Sequence, residues 1–479
     1  MKNINKTPNK AIEETTNLSP PECNLVEADI EVLAEELKKY VLEFNESFKR
    51  PESLSWTEHY LRGLLSDIDR KNIEVMALTM GLNDRSMQNF VGQSPWQIEP
   101  VIDTHQKLVS ESLGNEGVLI VDESGNVKQG KNSVGVARQY CGSVGKVENS
   151  QVGVYLGYAS NKGHTLTEGQ LYLPEQWFDE ERKERRSECR VPKNLEFKTK
   201  PEIALEMIER TEKRGHLSYE YVLADALYGD NIEFRDGVAG LGKKYFTAVS
   251  CNRRIYREKP EVKVPEYKGR GRKPKLAKAN IESIRIDELG KELEAEKWSR
   301  HVVKEGSKGP IVCEFAFERI WETREEGEPV ELWLVIRRNL SEKGEISYYY
   351  CNASEEVSVE TLVWLSGMRW PIETSFEEAK EELGLDHYET RSYLGWYHHI
   401  LLTCLAHHFL VKMRLTLGEK APALTLPQAR LLIRAAIPLP EFTIAQSLTL
   451  IRYYQRRNYT AYASHRKRTL AILSRNCIS

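Results

Sequence analysis

The chain has 479 residues, of which 40% are apolar and 29% charged, with a formal net charge of −3. That length predicts two or three domains with ample material for a large core, the composition is that of a soluble globular protein, and so small a net charge does not by itself point to a polyanionic partner. No run of about 18 apolar residues occurs, so no membrane span is expected, and eight scattered cysteines without a Cys-x-x-Cys pair exclude a zinc site or a disulfide framework and fit a reducing cytoplasm.

Residues 1–25 are polar, lack the apolar stretch of a signal peptide and read as a disordered tail. Residues 26–112 read as a helical region. Apolar residues recur at helical spacing from Ile30 to Leu37 and from Ile73 to Leu78. Gly81-Leu82-Asn83 breaks the pattern, and Asp84 is placed to cap a further helix through Phe90, giving the outline of a helix-turn-helix or of an ordinary helical subdomain.

The period then changes. Strands are expected at 117–122, Gln151 to Ser160 and Leu166 to Pro174. A helix follows over Pro201 to Arg214, with Pro201 suited to its first turn and Gly215 just past its end. Two more strands follow, at 221–225 and Lys244 to Ser250. Three strands in hairpin order and then a crossover helix predict an α/β fold with a mixed sheet and helices on its faces. Residues 251–352 read as a β-rich insertion, with strand-like runs at Ile311 to Ile320, Val330 to Arg337 and Ile346 to Cys351. The core, begun over 113–250, resumes over 353–415, and 416–479 form a basic helical region.

Charge is unevenly spread. From Arg253 to Lys278 there are eleven Lys/Arg against three Glu, and from Leu450 to Ser479 seven Lys/Arg and no acid. Basic blocks in an otherwise acidic chain mark either phosphate contact or a solvated surface. The Gly/Pro-rich stretch holding Arg270, Arg272, Lys273 and Lys275 must be a loop. It is similar to an AT-hook, but Lys273 interrupts the Gly-Arg-Pro core, so a basic DNA-facing loop is the better reading. Arg456 and Arg457 are the candidate DNA contacts in the second block.

Three acids carry the chemistry. Asp122 closes the apolar run from Gly117, Asp225 closes the one from Tyr221, and Glu373 stands in the first turn of a helix opened by Arg369-Trp370-Pro371. A carboxylate at the exit of a buried strand is wetted while its neighbours stay dry. Two such acids and one from a helix make an oxygen-rich set suited to Mg²⁺ or Mn²⁺, and a pair of such ions about 3.5–4 Å apart serves phosphoryl transfer. Glu123 is expected to point to the opposite side if its strand continues, and Asp230 lies beyond the Gly229 turn. Glu373, Glu377 and Lys380 share one helical face, and Arg369 precedes it, so that Arg369 and Lys380 can neutralise phosphates on either side of a scissile bond.

These residues bring a family into view. The chain resembles bacterial insertion-sequence transposases of the DDE superfamily, whose third acid lies in a Tyr-x2-Arg-x3-Glu-x6-Lys signature. Arg369, Glu373 and Lys380 match it at the right spacing, and Ser366 stands where the tyrosine would be. Leu61-Arg62-Gly63-Leu64-Leu65, Leu173-Pro174-x-x-Trp177, Ala224-Asp225-x-x-Tyr228-Gly229 and Gly384-Leu385-Asp386-His387-Tyr388-Glu389-x-Arg391 are similar as well, so the likeness covers roughly 55–470.

The resemblance implies an RNase H-like core in which Asp122, Asp225 and Glu373 hold two divalent ions. It implies a DNA endonuclease and strand transferase acting on terminal inverted repeats and target DNA, a homodimer on paired ends, and a bacterial cytoplasmic protein associated with the nucleoid. Two alternatives are an RNase H-fold nuclease that does not join strands and a non-catalytic DNA-binding descendant. A glycosidase also uses paired carboxylates, but it explains neither basic block. Trp177, Trp370 and Trp396 are candidates for stacking on an unpaired base. His398-His399 and His407-His408 read as belonging to a packed helix with wet ends rather than as metal ligands.

Overall fold

The computed structural model describes residues 21–264, 278–306, 309–324, 328–340, 344–440 and 443–476. Most of the expected N-terminal tail therefore lies outside the described residues, as does the basic loop with Arg270, Arg272, Lys273 and Lys275. Within 21–25, Asn24 donates its backbone N–H to the Lys420 carbonyl.

A ten-stranded mixed sheet organises the chain. Its first part contains β1 (Gly117–Val127), β2 (Ala137–Cys141), β3 (Lys146–Ser160), β4 (Gly163–Tyr172), β5 (Tyr219–Ala224) and β6 (Lys244–Val249). The second part contains β7 (Ser299–Gly306), β8 (Gly309–Glu322), β9 (Val330–Asn339) and β10 (Ile346–Cys351). The order is β7-β8-β9-β10-β6-β5-β1-β3-β2, with β4 on the other half of β3. β1, β5 and β6 pair in parallel, β3 runs antiparallel beside β1, and β4 runs antiparallel beside β3. This is the RNase H-like arrangement. The apolar runs of β1 and β5 are buried on both faces, as parallel strands at a sheet's centre must be. The four long strands of the insertion are not a separate sheet, because β10 pairs with β6 and so extends the core sheet; two short two-stranded ladders lie apart from it.

The strands differ from expectation in several places, β3 among them, which begins at Lys146 and not at Gln151. β1 does not stop at Asp122 but runs on to Val127, because ten residues of β3 hold it in register. The polar edge strand β2 and the charged edge strand β7 were not expected from the pattern, since an edge strand has no second neighbour and little need for apolar alternation.

The helices are α1 (Glu27–Glu31), α2 (Leu33–Leu42), α3 (Pro51–Leu65), α4 (Ile73–Thr79), α5 (Asp84–Gly92) and α6 (Ile98–Leu113) at the start. α7 (Lys200–Arg214) and α8 (Ile232–Gly240) lie within the core. α9 (Val359–Met368), α10 (Trp370–Glu381), α11 (Tyr393–Gly418), α12 (Leu426–Ala436) and α13 (Ile444–Asn476) complete the chain. Asn83, not Asp84, caps α5 by accepting from the Ser86 N–H. α7 begins with the Thr199–Glu202 capping box and ends at Gly215 in the left-handed region, where glycine avoids a Cβ clash.

α11 is apolar all round because it is buried all round. It is the one described helix long and apolar enough to cross a membrane, yet 78% of its most apolar window is buried inside the protein. The N-terminal helices and β4 pack around it. Its four histidines are buried as well, so the wet ends expected for this helix are dry where they sit. Tyr60 meets His399 at 2.8 Å, Tyr40 meets His408 at 3.0 Å, and His398 stacks on Trp96. Burial pushes His398 down to about 4 and His399 to about 3, which keeps both neutral.

A buried ion network ties the insertion to the core. Arg235 of α8 pairs with Glu322 of β8 at 2.8 Å, and Arg253 meets the same carboxylate at 2.8 Å. Burial alone would raise the Glu322 carboxyl, but the charges and hydrogen bonds of these arginines and Arg324 hold it below its ordinary value. Removing one partner of such a network strands a buried charge. Glu322→Ala is therefore expected to cost about 3–5 kcal/mol in chemical denaturation, whereas Glu180→Ala, which breaks the exposed Lys183 pair, should leave the denaturation midpoint nearly unchanged.

Candidate active site

The parallel ladder between β1 and β5 pairs Val121 with Ala224. The next residue on each strand is an aspartate, so the ladder delivers Asp122 and Asp225 side by side. β5 ends there, and Asp225 caps the helical turn Ala226–Gly229, its Oδ1 accepting from the Leu227 N–H at 2.9 Å. Asp122 Oδ1 accepts from the Glu123 N–H at 2.7 Å. The turn after Asp225 lies hard against β6: a Cβ on Gly229 would stand 1.8 Å from the Ala248 carbonyl oxygen, so only glycine fits.

Glu123 joins this pair, which sequence reasoning did not anticipate. Its strand continues, so its Cβ points away from that of Asp122, but β5 has ended and the longer side chain reaches round. Lys200 Nζ donates to its Oε1 at 2.8 Å and the buried Tyr228 hydroxyl to its Oε2 at 3.1 Å. Carboxylate oxygens of Asp122, Glu123 and Asp225 lie within 4.8 Å of one another. The signal in the sequence was the Asp-Glu dipeptide itself, read on strand alternation alone.

Burial first, then the Asp225 charge, pushes Asp122 up to about 7. Burial and the Glu123 charge raise Asp225 as well. Three crowded carboxylates form an all-oxygen donor set whose mutual repulsion a hard divalent cation relieves, so the residues present fit such an ion.

Glu373 arrives from the other layer. α10 carries Pro371 in its first turn, as expected, and buries Ile372, Ser375, Phe376 and Ala379. Its rear is held by α11, where His407 Nε2 meets Glu378 Oε2 at 3.1 Å, and by β4, where His164 Nδ1 meets Ser375 Oγ at 2.8 Å. Glu373 is outside the group of three acids and pairs with Arg369 at 2.7 Å. Arg369 links the two sets: although burial works against its charge, the charges of Glu373, Asp122 and Asp225 raise it. Lys380 lies further along α10, its ammonium lowered by burial and raised by Asp386.

Of the three tryptophans, Trp177 and Trp396 are core residues, with indole N–H groups bonded to the Val136 carbonyl and the Tyr388 hydroxyl. Trp370 is 57% exposed beside Arg369. Arg456 is exposed on α13, whereas Arg457 pairs with Glu389 at 3.0 Å. Ser366 lines a cavity next to Arg369.

Comparison with known proteins bears on these residues. The family described as DDE superfamily endonuclease matches residues 43–310, more than half of the chain. That match contains Asp122, Glu123 and Asp225 and stops before Glu373. A probable transposase for insertion sequence element IS701 from Microchaete diplosiphon is 31% identical over 194 residues, 40% of this chain and 47% of that protein. The aligned segment thus spans less than half of the relative's length.

The raised Asp122 gives a pH signature. The unfolded carboxyl ionises near 3.8, the folded one near 7, so between these values the folded state holds a proton that the unfolded state has lost, and stability falls as pH rises. In chelator, Asp122→Asn is expected to raise the unfolding temperature relative to the parent at pH 8 and to leave it nearly unchanged at pH 4.

Proposed function

The chain belongs to the DDE superfamily endonucleases, and on that premise we propose that it is a DNA transposase, which cleaves the ends of an insertion sequence and joins them to target DNA. The observation that carries the reading is the convergence of Asp122, Glu123 and Asp225 on one point of the sheet, with Arg369 between them and Glu373.

Asp122, Asp225 and Glu373 would hold two Mg²⁺ or Mn²⁺ ions. Bound there, the ions supply an activated attacking oxygen and charge stabilisation for the leaving one. Water attacks the phosphodiester in line and frees a 3′-hydroxyl, leaving a 5′-phosphate; that hydroxyl in turn attacks a target phosphodiester in the same site and displaces the target strand's own 3′-oxygen, which leaves as a hydroxyl. The protein contributes position and charge. Glu123, held by Lys200 and Tyr228, keeps a further carboxylate oxygen beside the two aspartates. Arg369 and Lys380 neutralise backbone phosphates near the cut, and Trp370 offers an exposed ring at the same place. Arg270, Arg272, Lys273 and Lys275, together with Arg456 and Arg457, are further candidates for contact with DNA phosphates. Two copies acting on paired terminal inverted repeats, in a bacterial cytoplasm and against the nucleoid, complete the reading.

Incubation with the DNA that flanks its own coding sequence and Mn²⁺, with nicks mapped to the nucleotide, tests this. The parent protein should cut at a discrete end, and pre-cut ends should yield joined product. A nuclease without strand transfer would cut only. Asp122→Asn, Asp225→Asn and Glu373→Gln should each lower cleavage by more than about a hundred-fold with DNA binding retained, and Glu123→Gln by roughly 10- to 100-fold, as expected of an auxiliary group beside the ligands. Unchanged cleavage in Asp122→Asn would refute the assignment.

A further inference from the structure

The insertion also reaches back to the site. Its edge strand β7 lies against α9, so closely that a Cβ on Gly367 would stand 2.7 Å from Val303 Cγ1. The ladder between β7 and β8 shifts register between Val302 and Lys304, and such an irregularity re-aims the side chain that follows it. Lys304 thereby faces a cavity of about 350 Å³ that it shares with Arg337, Arg369, Trp370, Tyr349 and Ser366.

The charge in this cavity is unbalanced. Three cationic side chains line it, and the pair formed by Arg369 is already with Glu373. Neither Lys304 nor Arg337 has a carboxylate ion-pair partner among the described residues. Arg337 is fixed by bonds that leave its charge uncancelled, from Nη1 to the Ser366 carbonyl at 3.2 Å and from Nε to Cys313 Sγ at 3.3 Å. Lys304 Nζ stands 5.9 Å from the centre of the Trp370 ring. Burial and the neighbouring Arg337 charge lower its ammonium, against the pull of Glu373. Cations held together in a partly buried cavity gain most from an anion that enters with its own negative charge. A phosphodiester group meets that need beside three acids that themselves repel it.

We propose that Lys304 and Arg337, with Arg369, form a subsite for a DNA backbone phosphate adjacent to the scissile one, and that Lys304 is a positioning residue for cleavage. The proposal rests on the reading of Asp122, Asp225 and Glu373 as a phosphodiester-cleaving site. It gives the insertion a role in the chemistry, since strand β7 supplies a cation to a site built on β1 and β5.

The test uses the full-length protein and end-bearing duplexes in which one phosphate at a time is replaced by a neutral methylphosphonate. With the parent protein, one position near the cut should lower single-turnover cleavage about ten-fold. Lys304→Met should raise the half-saturating DNA concentration by about ten-fold on all-phosphate DNA, lose nothing more at that one position, and keep the parent's unfolding temperature. Lys304→Arg should restore both binding and the position-specific loss. Lys304→Met cleaving like the parent, or its defect adding in full to every methylphosphonate, overturns the subsite. Parent cleavage with an indifferent Lys304→Met removes only the subsite, whereas absence of cleavage by the parent removes the site reading and the subsite with it.

Discussion

The register of one parallel ladder fixes the chemistry of this protein. β1 and β5 pair so that Val121 faces Ala224, and the residue that follows on each strand is acidic. A slip of one position would turn one aspartate to the opposite face of the sheet. The apolar runs that precede both acids are buried on both faces, so a slip would also expose core side chains. The same burial that sets the register strips solvent from the carboxylates, and the raised pKa of Asp122 follows from it.

Much of the surrounding structure keeps that point in place. Gly229 lets the turn after Asp225 lie on β6, and Tyr228 in the same turn reaches Glu123. α10 is clamped from behind by His407 and His164, which are bonded to Glu378 and Ser375. Arg369 then spans the gap between the helix and the strands. The insertion is fastened to the core by the continuous sheet and by the arginines around Glu322. It is therefore placed to act on the site and not merely to decorate the surface.

The centre of this arrangement was legible in the sequence, and its margins were not. β1, β5, β6 and α7 announced themselves through buried apolar runs, a first-turn proline and a terminal glycine, because local chemistry and tertiary packing agree there. Asp122 and Asp225 could be picked out because each follows a buried apolar run, and Arg369 and Glu373 because they stand at the start of a helix. The second half of β1 was missed because Glu123-Ser124-Gly125-Asn126 has little intrinsic strand preference and is extended only by pairing with β3. Edge strands β2 and β7 carry the charged residues that edges use against unwanted pairing, and these mask a strand pattern. Glu123 was set aside by alternation, a rule for Cβ directions that a long side chain beyond the end of a neighbouring strand can escape. Three of the four buried histidines of α11, His398, His399 and His408, have tyrosine or backbone partners more than 300 residues away, and no local pattern encodes such pairings.

The central claim is that the adjacent aspartates of the β1 and β5 ladder hold divalent ions. Anomalous scattering from crystals of the full chain grown with Mn²⁺ measures this directly. The account predicts manganese peaks coordinated by oxygens of both Asp122 and Asp225, absent in crystals of Asp122→Asn. No peak at these residues, or an equal peak in Asp122→Asn, would contradict it.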